Sequence, residues 1–341
     1  MTEEFLAQTA KRLTSPPKGI LAIDESLSTC NKRFEPLGVP TTIEKRQEYR
    51  ELLITTPGIE DYISGYILFD ETIRQSALDG RSFTSIMKEK GLDIGIKVDE
   101  GPVEFPDHPG EKITKGLIGL DARLKEYKAM GATFAKWRAV YTITDTTPSE
   151  VCMKANAQIF VKYVQACQDN DIVPLVEPEV LMNGNHLIEK CYEVTARNLQ
   201  IVFDELKAAQ VFLPGIILKT NMVLPGQGAD ITVDHAEIAR MTIKCLKEKV
   251  PEEIGGIVFL SGGQKDEEAT MRLQEMHKLG SLPWPLTFSY GRAIQDHALE
   301  SWAANPDDIT TAQDALLFAA RNDSLATLGQ YKGEAHLGKG Q

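Results

Sequence analysis

The chain has 341 residues, 42% hydrophobic and 25% charged, the proportions of a globular protein that can bury a large core without covalent staples. Its formal net charge of −12 argues against nucleic acid as a partner, and an anionic ligand would need cations gathered in one cleft. Five widely spaced cysteines (Cys30, Cys152, Cys167, Cys191 and Cys245) form no C-x-x-C pair, which predicts free thiols in a reducing compartment.

The chain starts Met1-Thr2-Glu3-Glu4-Phe5-Leu6, with acid where a secretory leader carries base, and no run reaches the ~20 apolar residues of a membrane span. A cytoplasmic protein is expected. Eight short apolar runs then recur: Gly19 to Asp24, Ile63 to Asp70, Leu92 to Asp99, Ala132 to Val140, Ile172 to Glu179, Gly215 to Val223, Gly255 to Gly263 and Pro285 to Arg292. Each is too short for an average helix, several are rich in Ile and Val, and many follow Gly or Pro, so they read as buried strands.

Stretches with helical spacing separate most of them. Glu150 to Gln168 starts after Pro148-Ser149, Leu187 to Ala209 follows the fifth run, and His235 to Lys249 is stopped by Pro251. Alternating strands and helices imply parallel pairing with right-handed crossovers, and eight such units close a (β/α)8 TIM barrel. An open doubly wound sheet is the alternative, but no nucleotide-binding glycine fingerprint follows the first run. Glu25 to Tyr62 is long enough to add a helix over one end. The last ~35 residues read as a terminal helix and a loose tail from about 333. The expected architecture is one α/β barrel domain over 1–341 with extra N- and C-terminal helices.

Charge collects at the C-terminal ends of the runs. The first ends in Asp24; the third carries Lys97 and Asp99, the fourth Lys136 and Arg138, the fifth Glu177 and Glu179, the sixth Lys219 and Asn221. Residues two apart on a strand share a face, so each pair points the same way. A barrel brings all these ends to one mouth, where enzymes of this fold do chemistry. The competing reading, a purely structural ion-pair network, accounts for any one of them better than for the set.

Such a set suits amine chemistry. Lys219 follows Ile216-Ile217-Leu218, the most apolar approach to any of the three lysines. Partial burial and a neighbouring cation such as Lys136 disfavour an ammonium and free the amine to attack a ketone. The resulting imine is an electron sink that stabilises an adjacent carbanion. Glu177 or Glu179 can move the protons, and Asp24 can do likewise or hold Lys136. Ser261-Gly262-Gly263 after the seventh run and Ser289-Tyr290-Gly291-Arg292 at the end of the eighth stand where barrels bind phosphate. No H-x-H, H-E-x-x-H or P-loop occurs, and neither a metal nor a cofactor is expected. Gly226-Gln227-Gly228 reads as a loop.

These segments also carry a family resemblance. GILAIDES (19–26), GIKVD (95–99), FAKWR (134–138), VPLVEPE (173–179), LKTNMV (218–223), FLSGGQ (259–264) and LTFSYGRA (286–293) closely resemble class I fructose-bisphosphate aldolases, in order along nearly the whole chain. The resemblance implies a cytoplasmic, metal-independent lyase that cleaves fructose 1,6-bisphosphate reversibly through a lysine Schiff base in glycolysis, gluconeogenesis or Calvin-type metabolism. Lys219 resembles the imine lysine, Glu177 the acid/base for imine formation and Glu179 a supporting carboxylate. Asp24 and Lys136 resemble the groups handling the C4 hydroxyl, and Arg138 and Lys97 residues contacting phosphate or hydroxyls. Ser261, Gly262, Gly263, Ser289, Gly291 and Arg292 resemble the ketose phosphate site; Ser26, Thr29, Lys32 and Arg33 resemble the site near the other phosphate. The family's habit also implies a homo-oligomer, often a tetramer. Two features depart from the pattern: Thr220 follows Lys219 where many members have proline, and residues 336–341 (HLGKGQ) include no terminal tyrosine, Tyr331 being nearest. A Schiff-base aldolase acting on sedoheptulose 1,7-bisphosphate and a barrel with a scaffolding role are the alternatives.

Overall fold

The computed structural model describes residues 3–333. Its strands are β1 (Gly19–Ile23), β2 (Ile63–Leu68), β3 (Asp93–Lys97), β4 (Pro102–Glu104), β5 (Lys112–Thr114), β6 (Phe134–Tyr141), β7 (Val173–Val180), β8 (Ile217–Thr220), β9 (Gly256–Phe259) and β10 (Leu286–Tyr290). Its helices are α1 (Glu3–Thr14), α2 (Leu27–Phe34), α3 (Ile43–Thr55), α4 (Asp70–Ile73), α5 (Phe83–Glu89), α6 (Leu120–Met130), α7 (Glu150–Asp169), α8 (Ile188–Ala208), α9 (His235–Lys249), α10 (Asp266–His277), α11 (Arg292–Ala304) and α12 (Ile309–Thr327).

Eight strands close into a parallel barrel in the order β1-β10-β9-β8-β7-β6-β3-β2. Their sequences are continuous apolar runs, not alternating ones, because one face meets the barrel interior and the other the helices. The (β/α)8 expectation therefore holds, and an open sheet does not. One strand pair was not foreseen. Between β3 and α6 the chain makes an antiparallel hairpin of β4 and β5, too short and too polar to register as apolar runs. Several runs also overreach. Asp24, Asn221, Ser261 to Gly263 and Gly291 to Arg292 lie past the strand ends, in the loops or helix starts that follow.

Helix starts follow local chemistry. Ser149 caps α7 by accepting from Cys152 N, and Asp234 caps α9 by accepting from Ala236 N, each satisfying an orphan N–H of the first turn. Gly119 and Gly131 bracket α6. Glu25 to Tyr62 contributes two helices, α2 and α3. The terminal helix is α12; the expected tail lies, from 334 onward, outside the described residues.

The barrel is plugged at the end opposite its mouth. Leu6, Ala10 and Leu13 of α1 pack with Ile20, Ala22, Ile67, Phe134, Leu175, Ile217 and Val258, the inward residues of the strands. Burying each leucine stabilises the fold by about 1.5–3 kcal/mol. The approach is close enough to require glycine: a Cβ on Gly255 would lie 2.5 Å from Ala10 Cβ and 2.7 Å from Pro214 O. With the bottom sealed, the C-terminal end of the barrel is the end left open.

Candidate active site

A cavity of about 800 Å3 opens at the C-terminal ends of the strands. Sixteen of the predicted residues line it: Asp24, Ser26, Thr29, Lys32, Arg33, Lys97, Lys136, Arg138, Glu177, Glu179, Lys219, Ser261, Gly262, Ser289, Gly291 and Arg292. Gly263 does not. It stands just behind the wall, where a Cβ would lie 3.5 Å from Arg292 Nη2.

The centre is a buried relay of charge. The parallel register of β6 on β7 pairs Lys136 with Leu175 and Arg138 with Glu177. Alternation then turns Lys136, Arg138, Glu177 and Glu179 into the cavity. The carboxylate of Glu177 bridges two lysines: Oε1 lies 3.4 Å from Lys219 Nζ and Oε2 lies 3.3 Å from Lys136 Nζ. Lys136 Nζ also donates toward Asp24 Oδ2 at 2.6 Å. All four side chains are almost wholly buried, Asp24 least so at 12% exposed.

Burial alone would push the Asp24 carboxyl up. The positive charges of Lys136 and Lys219 and the hydrogen bond from Lys136 outweigh it and hold Asp24 at about 2. Glu177 is lowered by the same contest, with burial opposed by Lys136, Lys219 and Arg138. Burial disfavours the Lys136 ammonium, but Asp24, Glu177 and Asp99 raise it well above the usual lysine range. Asp24 and Glu177 are therefore anions and Lys136 is a cation at neutral pH.

Around this centre, further pairs fix geometry. Arg138 Nε donates to Glu179 Oε2 at 2.5 Å. Lys97 Nζ contacts Asp99 Oδ1 at 2.7 Å and donates to its carbonyl at 2.6 Å. Asp99 in turn accepts from the backbone N–H of Gly101 and Arg138.

The rim of the cavity differs from its centre. After β9, Gly262 and Gly263 take positive φ of +60° and +91°, a left-handed backbone open to glycine at no steric cost. Ser289 Oγ is buried there with no hydrogen-bond partner among the described residues. Gly291 precedes the first turn of α11, which begins at Arg292, so that helix N-terminus adds unsatisfied N–H groups of the kind that hold anions. After β1, Ser26 caps α2 by accepting from Thr29 N, and Lys32 of the same helix also lines the cavity. Among the described residues, Lys32 and Arg292 have no carboxylate within ion-pair distance.

Arg33 is different. Its Nη1 donates to a Glu25 carboxylate oxygen and, at 2.9 Å, to Gln295 Oε1; its Nη2 donates to Asp296 Oδ1 at 2.9 Å. The sequence reading missed Glu25, which lines the cavity, and Gln295, Tyr49 and Arg50, which complete the network behind it. It also missed Arg123 and Tyr127 of α6, which line the cavity. None of them belongs to a strand run, so no periodicity marks them. Asn221 holds neighbouring chain in place: its side chain accepts from Val180 N and donates to Thr195 Oγ1 and Met222 O.

Thr220 ends β8 fully buried, and its carbonyl accepts from Leu260 N. Tyr331 packs in the main hydrophobic core and does not line the cavity; residues 336–341 lie outside the described residues. No group of three or more His, Cys, Asp or Glu among the described residues is arranged to hold a metal ion. All five cysteines are free and buried.

Comparison with known proteins agrees with this geometry. A family model described as "Glycolytic: Fructose-bisphosphate aldolase class-I" matches residues 5–341. A probable fructose-bisphosphate aldolase class 1 of Xanthomonas campestris pv. campestris is 51% identical over 98% of this chain and 100% of its own length. The cytosolic fructose-bisphosphate aldolase 4 of Arabidopsis thaliana is 47% identical over 99% of this chain and 86% of its own. Fructose-bisphosphate aldolase from Plasmodium falciparum, solved in complex with TRAP and a small-molecule inhibitor, superposes with a TM-score of 0.96 at 42% identity, covering 97% of this chain and 96% of that one. The chain belongs to the class-I fructose-bisphosphate aldolase family.

Proposed function

We propose that Lys219 is the amine through which this chain performs its family's reaction, the reversible cleavage of fructose 1,6-bisphosphate to dihydroxyacetone phosphate and glyceraldehyde 3-phosphate. The observation that carries the assignment is the Glu177 carboxylate, held between Lys219 and Lys136 at the bottom of the cavity.

Glu177, in contact with Lys219 Nζ, takes its proton; the freed amine attacks C2 of the ketose, and Glu177 returns the proton to the departing hydroxyl, so water leaves and a protonated imine forms. The C3–C4 bond then breaks. Its electron pair flows toward the imine nitrogen and gives an enamine, while the C4 hydroxyl loses its proton and leaves as the aldehyde. Asp24, kept ionised by Lys136, accepts at that hydroxyl, and Lys136 offsets the negative charge that develops there. Glu179 keeps Arg138 aimed at the substrate. Protonation of the enamine and hydrolysis release dihydroxyacetone phosphate and restore Lys219. The ketose phosphate sits on Ser261, Gly262, Gly263, Ser289, Gly291 and Arg292. Lys32, Ser26 and Thr29, backed by Arg33, take the other phosphate, with Lys97 toward the sugar hydroxyls.

The same proposal places the protein in the cytoplasm, which the cytosolic Arabidopsis relative and five free thiols support, as one domain in a homo-oligomer whose size sedimentation will give. The deciding experiment is borohydride reduction with dihydroxyacetone phosphate, followed by peptide mapping. One adduct is expected on the peptide containing Lys219, and none in Lys219→Met. An adduct elsewhere, or none on folded wild-type protein, overturns the assignment.

A further inference from the structure

Gln295 is fully buried in the first turn of α11, one turn from Gly291 and Arg292. It does not itself line the cavity, yet its amide is saturated, three of the four partners being residues that do. Nε2 donates to the carbonyl of Ala22 at 2.5 Å and to Glu25 Oε1 at 3.1 Å. Oε1 accepts from Arg33 Nη1 and from Tyr49 OH, each at 2.9 Å. Two donors and two lone pairs are all a primary amide has. The orientation is also forced, because the flipped amide would set its oxygen against the Ala22 carbonyl and the Glu25 carboxylate.

These partners span the site. Ala22 is the penultimate residue of β1 and lies two before Asp24; Arg33 is on α2, the helix carrying Thr29 and Lys32; Tyr49 is on α3. Gln295 itself moves with the start of α11. One side chain thus ties α11, beside the ketose phosphate loop, to β1 and α2, the element proposed above for the other phosphate. The other contacts between α2 and α11 are the ion pair of Asp296 with Arg33 and, farther from the cavity, the packing of Phe34 on Trp302. Charged contacts tolerate small displacements, whereas a four-bonded amide of fixed orientation does not.

We propose that Gln295 is a positioning residue that sets the spacing between the two phosphate-binding ends of the cavity, and so sets the preference for bisphosphate over monophosphate sugars. The inference rests on the placement of the second phosphate at α2 proposed above. A substrate gripped at one end accommodates a shift of α2 relative to α11; one gripped at both ends does not, because its phosphates are a fixed distance apart.

The test compares kcat/KM for fructose 1,6-bisphosphate and fructose 1-phosphate in wild type, Gln295→Met and Lys32→Met. In Gln295→Met the bisphosphate-to-monophosphate ratio is expected to fall by about tenfold, mostly through KM for the bisphosphate. A merely structural role lowers the amount of active enzyme and both rates together, leaving the ratio unmoved; that result overturns the inference. Lys32→Met tests the underlying reading separately, since an unchanged ratio there removes the second phosphate from α2, whatever Gln295 does. Should Gln295→Met fail to fold, Tyr49→Phe deletes one of the four bonds and keeps the ring. Its ratio is expected to fall by about two- to threefold, and an unchanged ratio counts against the proposal in the same way.

Discussion

Replacing Lys136 with methionine keeps most of the side chain's volume and removes the cation that holds Asp24 and Glu177 ionised. With Lys136 present, Asp24 sits at about 2 against an ordinary 3.8, a gap equivalent to about 2 kcal/mol of folding stability at neutral pH. Because the folded value is depressed, that stability is complete above the unfolded value and is lost only as pH falls from 3.8 toward 2. In Lys136→Met burial remains and, among the described residues, Lys219 is the only lysine left within ion-pair distance of Glu177, so both carboxyls move up. Once Asp24 lies above its unfolded value, the sign reverses: its ionisation opposes folding, and the penalty is relieved as pH falls. The expected loss at pH 7 is between about 2 kcal/mol, the Asp24 share alone, and about 5 kcal/mol, the upper cost of breaking a buried ion pair. Urea unfolding followed by tryptophan fluorescence between pH 8 and 4.5 measures it. The difference from wild type should shrink on acidification. A loss that is flat across this range, or no loss at pH 7, would refute the claim that Lys136 works by holding two anions.

Other expectations are more easily checked. EDTA should leave turnover unchanged, and a large loss would demand a metal that the described residues are not arranged to hold. Gly255→Ala puts a methyl 2.5 Å from Ala10 Cβ and 2.7 Å from a backbone oxygen. It should cost about 1–3 kcal/mol by thermal or urea unfolding, with kcat in the surviving fraction unaltered, because the clash is at the plugged end. Glu177→Gln keeps the shape between the two lysines but removes the charge and the exchangeable proton; imine trapping with borohydride should slow by about 100-fold or more, and trapping at the wild-type rate would transfer the proton role to another group.

The barrel was legible because its strands are buried on both faces. A run such as Ile217-Leu218 must then be apolar throughout, which leaves the lysine that follows it conspicuous. The same logic exposed Lys136 with Arg138, and Glu177 with Glu179, ionisable pairs two apart in runs that are otherwise apolar. Where the chain leaves the strands this contrast fails. Gln295 and Tyr49 lie in ordinary helical sequence, and their partners are set by how α2, α3 and α11 meet, which no local pattern encodes. Arg33 shows the effect in reverse. Sequence offers it as a cation beside Lys32, but two carboxylates and an amide have already claimed its guanidinium. The β4–β5 hairpin escaped for a simpler reason: three-residue strands carry too little alternation to read.

An acidic chain binding a doubly anionic sugar looks contradictory until the cations of the cavity are sorted by partner. Lys97 is spent on Asp99, Arg138 on Glu179, Arg33 on Glu25 and Asp296, and Lys136 on Asp24 and Glu177. Lys219 shares Glu177. These pairs make the centre nearly neutral and rigid, which suits a step in which charge moves but does not accumulate. Arg123 faces Glu100. Among the described residues, Lys32 and Arg292 alone of these cations have no carboxylate within ion-pair distance, one on α2 and one at the start of α11, and both are exposed. Free positive charge is thus confined to two places at the cavity's rim, and it is there that two phosphates gain most on leaving water. Net charge of the whole protein then has little say, because at physiological salt an exposed charge is screened beyond about 8 Å. Reversing Lys32 to glutamate should weaken the bisphosphate far more than the monophosphate, and Arg292→Glu should weaken both. Equal losses from the two changes would mean that both cations serve a single phosphate.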